Sequence, residues 1–158
     1  MLIREPKQKS MVELPSFDDY WEYENGFYLS SPPERIAKLL SHWELYQKSS
    51  NVPGEIVECG VFKGASLIRF ATFRHLTTMP FGKKIIGFDT FGDFPETEYD
   101  GDIQNRENFV ENAGGQSISV EELRTVFDEK GIAGNIDLVE GDINNTVPEY
   151  LDRNPELR

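Results

Sequence analysis

The sequence predicts an α/β fold around a parallel β-sheet that is incomplete within these 158 residues. Three short β-branched runs alternate with helical patterns, which is the order that strand–helix–strand units produce. Each run ends in an acidic residue or in one beside a glycine, at the edge where a parallel sheet binds its ligands. With 38% hydrophobic and 28% charged residues, the composition is that of one globular domain.

The N-terminal part divides into two predicted segments. Residues 1–16 are polar, and we expect them to form a flexible N-terminus. Residues 17–53 begin with an aromatic stretch, Phe17 to Leu29, that needs something to pack against. This stretch either docks on the core or covers a ligand as a flap. The run Ser31-Pro32-Pro33-Glu34 fits a capping box, so we expect a helix capped by Ser31 to follow.

Residues 54–158 contain the strand and helix alternation. The β-branched content and flanking glycines predict three buried strands, at Glu55–Val61, Lys84–Asp89 and Asn135–Glu140. Apolar spacing and a second capping box predict helices over Gly64–Leu76, after Ser119 and over Thr146–Leu151. The stretch between Gly92 and Ser117 is acidic and turn-rich, with a short helical pattern near Asn105–Glu111.

Charge and composition exclude several classes of function. With 28 acidic and 16 basic residues the net charge is −12, which disfavours a nucleic-acid partner. Neither a membrane-spanning run nor a signal-peptide stretch is visible. Cys59 is the single cysteine, so it forms no internal disulfide, and we expect it to be a small buried strand residue. A cytoplasmic location fits these features.

The loop after the first strand carries the first candidate ligand contacts. Gly60 lets the backbone turn and approach a ligand, while Gly64 and Ser66 open a helix whose free N–H groups favour an anion. Glu58 suits a ligand with an ammonium group. S-adenosylmethionine carries an ammonium, a carboxylate and a sulfonium, so it suits both Glu58 and Ser66. The loop lacks the G-x-G-x-x-G pattern of dinucleotide sites, which disfavours a nicotinamide-dependent oxidoreductase.

The next two strand ends supply acceptors for a nucleoside. Asp89 lies where a carboxylate can accept from both ribose hydroxyls. Asp142 follows the third strand and is placed to accept from an adenine amino group. The structural alternative for either residue is an acidic helix cap or turn residue. Three acidic ends at one sheet edge favour nucleoside binding.

Three runs of this sequence resemble the macrocin O-methyltransferase family, which methylates sugar hydroxyls. They are ENGFYLSSPPERIAKLLSHWELYQ, PGEIVECGVFKGASLIRFATFRHL and KKIIGFDTFGDFPE, and the similarity resumes at LVEGDINNTVPEYL. The resemblance implies the N-terminal half of a Rossmann-like class I methyltransferase fold. It also implies S-adenosylmethionine bound at Glu58, Gly60, Gly64, Asp89, Asp142 and Ile143. Magnesium is implied too, on aspartates that follow later strands of the family and are not in this chain.

The family sheet has seven strands with the first in the centre, whereas three strands are predicted here. We therefore expect this chain to be the cofactor-binding half of an S-adenosylmethionine-dependent O-methyltransferase, truncated after the third strand. No second wall is predicted to face the acidic loop from Asp93 to Asp102, so no acceptor site is predicted. We expect the isolated chain to be inactive on sugars and to self-associate as a homo-oligomer through its open sheet. The alternative is a non-catalytic nucleoside-binding or interaction module.

Overall fold

The computed structural model describes residues 12–77, 82–97 and 99–157 of the chain. Within these residues a 3₁₀ turn at Phe17–Asp19 leads into alternating helices and strands. The elements in chain order are α1 (Tyr20–Ser30), α2 (Pro33–Ser49), β1 (Ile56–Cys59), α3 (Ala65–Thr77), β2 (Ile85–Asp89), α4 (Asp100–Ala113), α5 (Val120–Glu129), β3 (Ile136–Glu140) and α6 (Ile143–Arg153).

The three strands form one parallel sheet in the order β1-β2-β3. Ile56 pairs with Ile85, and Ile85 pairs with Ile136, so the strands run in step from one end of the sheet to the other. All five residues of β2 are buried, because β2 has a strand on each side and helices on both faces. The predicted α/β fold with an incomplete parallel sheet is confirmed.

Helices pack on both faces of the sheet, and the main core lies on the side of α3 and α5. A Cβ on Gly87 of β2 would lie 2.9 Å from the Leu67 side chain of α3, so the glycine permits this close helix–sheet packing. On the opposite face, Phe88 packs edge-on against Tyr150 of α6, with ring centroids 5.4 Å apart.

β1 is less buried than its sequence predicts. Val57 is 54% exposed and Cys59 is exposed, so the expectation that Cys59 is buried is wrong. The reason is position: β1 is an edge strand, and Val57 and Cys59 are paired with Ile86 and Phe88, on the α6 face. No described helix covers that face over β1. One edge of the first strand is open among the described residues, as predicted.

The N-terminal segment makes few contacts with the core. Val12, Leu14 and Phe17 pack against the core cluster, but the aromatic side chains of α1 are mostly exposed and Leu29 is 88% exposed. Residues 12–17 therefore dock on the core, whereas α1 does so only weakly. The part of the predicted flexible terminus from 1 to 11 lies outside the described residues.

The two predicted capping boxes have different outcomes. Ser119 caps α5 as predicted: its hydroxyl accepts from the Glu122 amide and the Glu122 carboxylate accepts from the Ser119 amide. Ser31 does not cap α2, which begins at Pro33 with Pro32 in an extended conformation at its N-cap. The residue before a proline avoids helical geometry, so Pro32 cannot be the first helical residue.

Candidate functional site

A cavity of about 570 Å³ lies at the carboxyl ends of the three strands. This volume falls within the range of small-molecule sites, roughly 300–1,000 Å³. The loop after β1, the segment after β2, the turn after β3 and the first residues of α6 all contribute to its wall. The lining residues are Cys59, Gly60, Phe62, Asp89, Thr90, Phe94, Pro95, Glu96, Ser117, Gly141, Asp142, Ile143 and Asn144.

The sequence-predicted residues fall into two groups. Gly60, Asp89, Asp142 and Ile143 line the cavity. Glu58, Gly64 and Ser66 do not line it; they lie behind the first loop, where β1 meets α3. The sheet therefore brings the three strand ends together as predicted, and it separates the first loop into a part that faces the cavity and a part that faces the helices.

Asp89 binds the backbone of the cavity wall with both carboxylate oxygens. Its Oδ2 accepts from the amides of Val61 and Phe62, at 2.7 and 2.9 Å, and its Oδ1 accepts from the amide of Phe91 at 2.8 Å. The Thr90 hydroxyl lies 3.3 Å from Oδ1. These bonds use most of the acceptor capacity of a carboxylate. Asp89 thus braces the first loop against the end of β2.

Two of the residues that Asp89 holds have strained backbones. Phe62 and Phe91 have φ values of 52° and 47°, a left-handed region that bulky side chains rarely adopt. The Asp89 carboxylate accepts a hydrogen bond from the backbone amide of each of these two residues. A strained backbone of this kind persists only where surrounding contacts stabilise it, and the hydrogen bonds to Asp89 are such contacts.

Glu58 and Ser66 bind each other. The Ser66 hydroxyl donates to Glu58 Oε1, while Glu58 Oε2 is buried without a hydrogen-bond partner among the described residues. Burial raises the pKa of the Glu58 carboxyl above its usual range, and the hydrogen bond from Ser66 offsets only part of that rise. A buried carboxylate oxygen without a donor is costly, so this oxygen is a candidate acceptor for a cationic ligand.

The two glycines of the first loop have different roles. Gly60 has a φ of 91° and open space around its missing side chain, so it gives the cavity an unobstructed stretch of backbone. Gly64 has a φ of 79°, and a Cβ there would lie 2.8 Å from the Leu123 side chain. Gly64 therefore serves the packing of α3 against α5.

Asp142 is both a helix cap and a cavity residue. Its Oδ1 accepts from the backbone amide and the side-chain amide of Asn144, each at 2.9 Å, at the N-cap of α6. Its Oδ2 accepts no hydrogen bond from any described residue. The cap interpretation of Asp142 is therefore correct, and because capping leaves the other oxygen open, the adenine contact stays a prediction. Ile143 beside it is 42% exposed at the cavity wall.

Several cavity residues were missed by sequence reasoning. Phe94, Pro95 and Glu96 follow β2 within ten residues, and their position just beyond a strand end was the available signal. Ser117 gave no local signal. It reaches the cavity because its amide donates to the carbonyl of Gly92, which lies 25 residues earlier in the chain.

The acidic loop does have a second wall, contrary to expectation. α4 faces it, and Arg106 of α4 donates to the carbonyls of Pro95 and Phe94 at 2.8 and 3.3 Å. A groove of about 420 Å³ lies between the loop and the helix. The rings of Phe94 and Phe109 lie 5.0 Å apart beside it. The sequence predicted only a short helical pattern where α4 spans 14 residues.

The described residues contain neither a cluster of metal ligands nor a helix that could cross a membrane. No group of three or more histidine, cysteine, aspartate or glutamate side chains there is arranged to hold a metal ion. The magnesium that the family resemblance implies, on aspartates after later strands outside this chain, therefore stays a prediction. No described helix is both long and apolar enough to cross a membrane.

Comparison with known proteins identifies the family. The macrocin O-methyltransferase family profile matches residues 34–154, which is most of the chain. The chain belongs to the macrocin O-methyltransferase family. A search of the curated proteins gave no match.

Solved structures give the same relationship for this methyltransferase-family chain. It is similar to CalS11, described in one structure as a calicheamicin methyltransferase (TM-score 0.56, 30% identity). A second CalS11 structure is described as a TDP-rhamnose 3′-O-methyltransferase in calicheamicin biosynthesis (TM-score 0.54, 31% identity). These matches cover 87% of this chain but 56% and 54% of the CalS11 chains.

A third structure supports the fold alone. It is the O-methyltransferase NovP, with a TM-score of 0.58 and 23% identity, covering 72% of this chain and 48% of the NovP chain. The chain thus spans about half the length of all three structures. The three parallel strands with flanking helices form part of a methyltransferase sheet, as predicted.

Proposed function

We propose that this chain is the S-adenosylmethionine-binding part of an O-methyltransferase that acts on a sugar hydroxyl. Family membership and the similarity to CalS11 support the methyltransferase activity and the sugar acceptor. The observation that carries the proposal is the cavity at the three strand ends, because it joins an open carboxylate oxygen on Asp142 to the free backbone at Gly60. When bound, the cofactor supplies an electrophilic methyl group on its sulfonium.

The described residues bind and orient the cofactor in this proposal. Asp142 accepts from the adenine amino group through Oδ2, and Ile143 contacts the ring. Gly60 lets the ligand lie against the backbone of the first loop. Asp89 holds that loop in place and takes a ribose hydroxyl only as an additional partner, because both of its oxygens already accept backbone hydrogen bonds.

Glu58 and Ser66 act as a pair behind the loop. Glu58 does not line the cavity but precedes the lining residue Cys59, and its buried Oε2 would accept from the ammonium group at the margin of the cavity. Ser66 keeps the carboxylate oriented by donating to Oε1. Gly64 contributes by letting α3 pack close to α5, which fixes the position of Ser66. Positioning of this kind supplies much of the rate of a transfer reaction.

Calorimetric titration of the chain with S-adenosylmethionine tests the proposal. Asp142→Asn is the sharpest variant, because asparagine caps a helix as well as aspartate does through its Oδ1, while its NH2 group replaces the open acceptor Oδ2 with a donor. We expect about tenfold weaker binding, the cost of one charge-assisted hydrogen bond. Asp152→Asn, on the exposed distal part of α6, is the matched control and should bind like the wild type.

Two results would count against the proposal. If the wild-type chain shows no binding to S-adenosylmethionine, the cavity is not a cofactor site. If Asp142→Asn and Asp152→Asn bind it equally well, Asp142 does not contact the adenine.

A further inference from the structure

A groove of about 420 Å³ lies between α4 and the segment after β2, and we call it the α4 groove. It shares a wall with the cavity at the strand ends, because Phe94, Pro95 and Glu96 line both spaces. Phe109 is among the residues of α4 that form the other wall. The volume falls within the range of small-molecule sites, roughly 300–1,000 Å³. The structure therefore has two neighbouring ligand-sized spaces with one short segment between them.

Hydrogen bonds to α4 and to the residues after it hold this shared segment. Arg106 of α4 donates to the carbonyls of Pro95 and Phe94, at 2.8 and 3.3 Å. The Phe94 amide donates to the carbonyl of Gly115, which lies just beyond the end of α4, at 2.8 Å. All of these bonds use backbone groups of the segment. The side chains of Phe94 and Glu96 therefore stay available to a ligand in either space.

The α4 groove lies beside the first loop. The Phe62 ring of that loop lies 5.2 Å from the Phe109 ring and 6.1 Å from the Phe94 ring. The Lys63 amine donates to the carbonyl of Ala113 at the end of α4. In the proposed function the first loop binds the amino-acid part of the cofactor, whereas the adenine lies at the far strand, β3. The groove is therefore on the side of the cofactor that carries the methyl group.

The lining of the α4 groove suits a sugar ring. The Phe94 and Phe109 rings are 5.0 Å apart, and Phe109 is 42% exposed, so they give the groove an aromatic surface. One face of a sugar ring consists of C–H groups that pack on such a surface. The exposed carboxylates of Glu96 and Asp102 make no hydrogen bond or ion pair with any described residue, so they can accept from sugar hydroxyls.

The charges in the α4 groove disfavour an anionic ligand. Glu96 and Asp102 are both acidic, and Arg106 is the one basic residue among the described residues that line the groove. The Arg106 guanidinium already donates to two carbonyls of the shared segment. A carboxylate or phosphate in the groove would thus face two like charges and one cation that is already hydrogen-bonded. An uncharged sugar avoids this repulsion.

We propose that the α4 groove binds the acceptor through an uncharged sugar ring, whose C–H face lies on Phe94 and Phe109 and whose hydroxyls donate to Glu96 and Asp102. This inference rests on the proposed function: the cofactor occupies the cavity, and the acceptor hydroxyl reaches the methyl group past the shared segment. Any phosphate that the acceptor carries lies outside the groove. The rival occupant is the cofactor itself, so the test must separate the two.

Saturation-transfer NMR measures the binding of two uncharged 6-deoxyhexosides, methyl α-L-rhamnoside and methyl α-L-fucoside, to the chain with and without S-adenosylhomocysteine. Their methyl group suits the apolar wall of the groove. Phe109→Ala removes part of the aromatic surface, and Asp102→Asn turns one acceptor oxygen into a donor. We expect each variant to bind the glycosides at least about fivefold more weakly than wild type. Glucuronate should bind wild type at least about tenfold more weakly than the glycosides do.

The matched control variants lie on the same helix outside the groove. Asp100→Asn pairs with Asp102→Asn, because both aspartates are exposed in the first turn of α4 and only Asp102 lines the groove. Ile103→Ala pairs with Phe109→Ala, because the two side chains are 40% and 42% exposed and only Phe109 lines the groove. Both controls should keep wild-type affinity for the glycosides. Asp102→Asn alters an exposed side chain, so it carries the test if Phe109→Ala does not fold.

The inference is overturned if neither glycoside binds, if both groove variants bind the glycosides as their controls do, or if glucuronate binds equally well. It is also overturned if S-adenosylhomocysteine displaces the glycosides, because the groove then holds part of the cofactor. Calorimetric titration with S-adenosylmethionine separates this inference from the proposed function. A chain that binds S-adenosylmethionine but neither glycoside keeps the proposed function and refutes the sugar site. A chain that binds the glycosides in the groove but not S-adenosylmethionine refutes the proposed cofactor site and keeps the sugar site.

Discussion

Replacing Asp89 should reveal a structural role larger than its role in ligand binding. The Asp89 carboxylate accepts backbone hydrogen bonds from Val61, Phe62 and Phe91, and the residue is only 9% exposed. Asp89→Asn keeps the volume but turns one acceptor oxygen into a donor. The side-chain oxygen of the asparagine can still accept from the backbone N–H groups of Val61 and Phe62. The backbone N–H of Phe91 then faces the side-chain NH2 group, which is another donor.

The magnitude follows from the number of donors left unpaired. One buried N–H without an acceptor costs about 1–3 kcal/mol, so Asp89→Asn should lower the free energy of unfolding by about that amount. Asp89→Ala leaves three donors unpaired and should cost about 3 kcal/mol or more, a large part of a typical total of about 5–15 kcal/mol. The left-handed backbone of Phe91 should relax in both variants, and that of Phe62 in Asp89→Ala.

Urea denaturation followed by circular dichroism measures the effect. With a slope of about 1–3 kcal/mol per molar urea, Asp89→Asn should move the midpoint down by about 1 M. Asp93→Asn is the control, because Asp93 is exposed, lies in the same segment and accepts from Gln116 at 2.9 Å, which asparagine can also do. Its change should stay within about 0.5 kcal/mol. Equal midpoints for Asp89→Asn and the control would show that the Asp89 carboxylate does not stabilise the first loop.

The sequence predicted the position of Asp89 but not its main partners. A strand end with an acidic residue is a local pattern, and the structure places that residue at the cavity. Two of the three backbone amides that it accepts from, those of Val61 and Phe62, are 28 and 27 residues earlier in the chain, and their direction depends on how the first loop folds. A carboxylate that braces a wall and one that binds a ribose look alike in sequence.

The same limit applies to burial and to the walls of the cavity. Periodicity and glycine spacing predicted all three strands, because these signals are local. The exposure of Val57 and Cys59 depends instead on what lies beside and above β1. Likewise α4 and Ser117 reach the cavity region through long-range contacts, such as the bonds from Arg106 to the segment after β2.

Three further predictions test packing, capping and charge. Ser119→Ala should lower the free energy of unfolding by about 1 kcal/mol in thermal or urea denaturation, while Ser31→Ala should change it little, because only Ser119 caps a helix. Gly64→Ala should destabilise the fold, by more than about 1 kcal/mol, because its φ is 79° and its Cβ would lie 2.8 Å from a leucine methyl of α5; an unchanged urea midpoint would mean that α3 and α5 separate easily. The last prediction concerns the ion pair between Lys84 and Asp137, whose charged atoms are 3.1 Å apart. Burial alone would raise the pKa of Asp137. Hydrogen bonds from the Tyr150 hydroxyl and from Lys84 outweigh this effect and hold the pKa below 3.8. The hydrogen bond to Asp137 raises the pKa of Lys84 above 10.5. A carboxyl whose pKa is lower in the folded than in the unfolded state stabilises the fold at pH values above its unfolded pKa, and this stabilisation is lost as the pH falls through its folded pKa. A lysine whose pKa is higher in the folded state stabilises the fold at pH values below its unfolded pKa, and this stabilisation is lost as the pH rises through its folded pKa. Burial and the hydrogen bond to Asp137 likewise raise the pKa of Tyr150 above 10.0. The stability difference between wild type and Asp137→Asn should therefore be constant between pH 3.8 and 10.0 and shrink on both sides. Solvent screens this partly exposed pair, so the difference should be no more than about 1 kcal/mol and should fall with added salt. A difference that persists unchanged well below pH 3.8 would show that the charge of Asp137 contributes nothing and that its effect is one of packing.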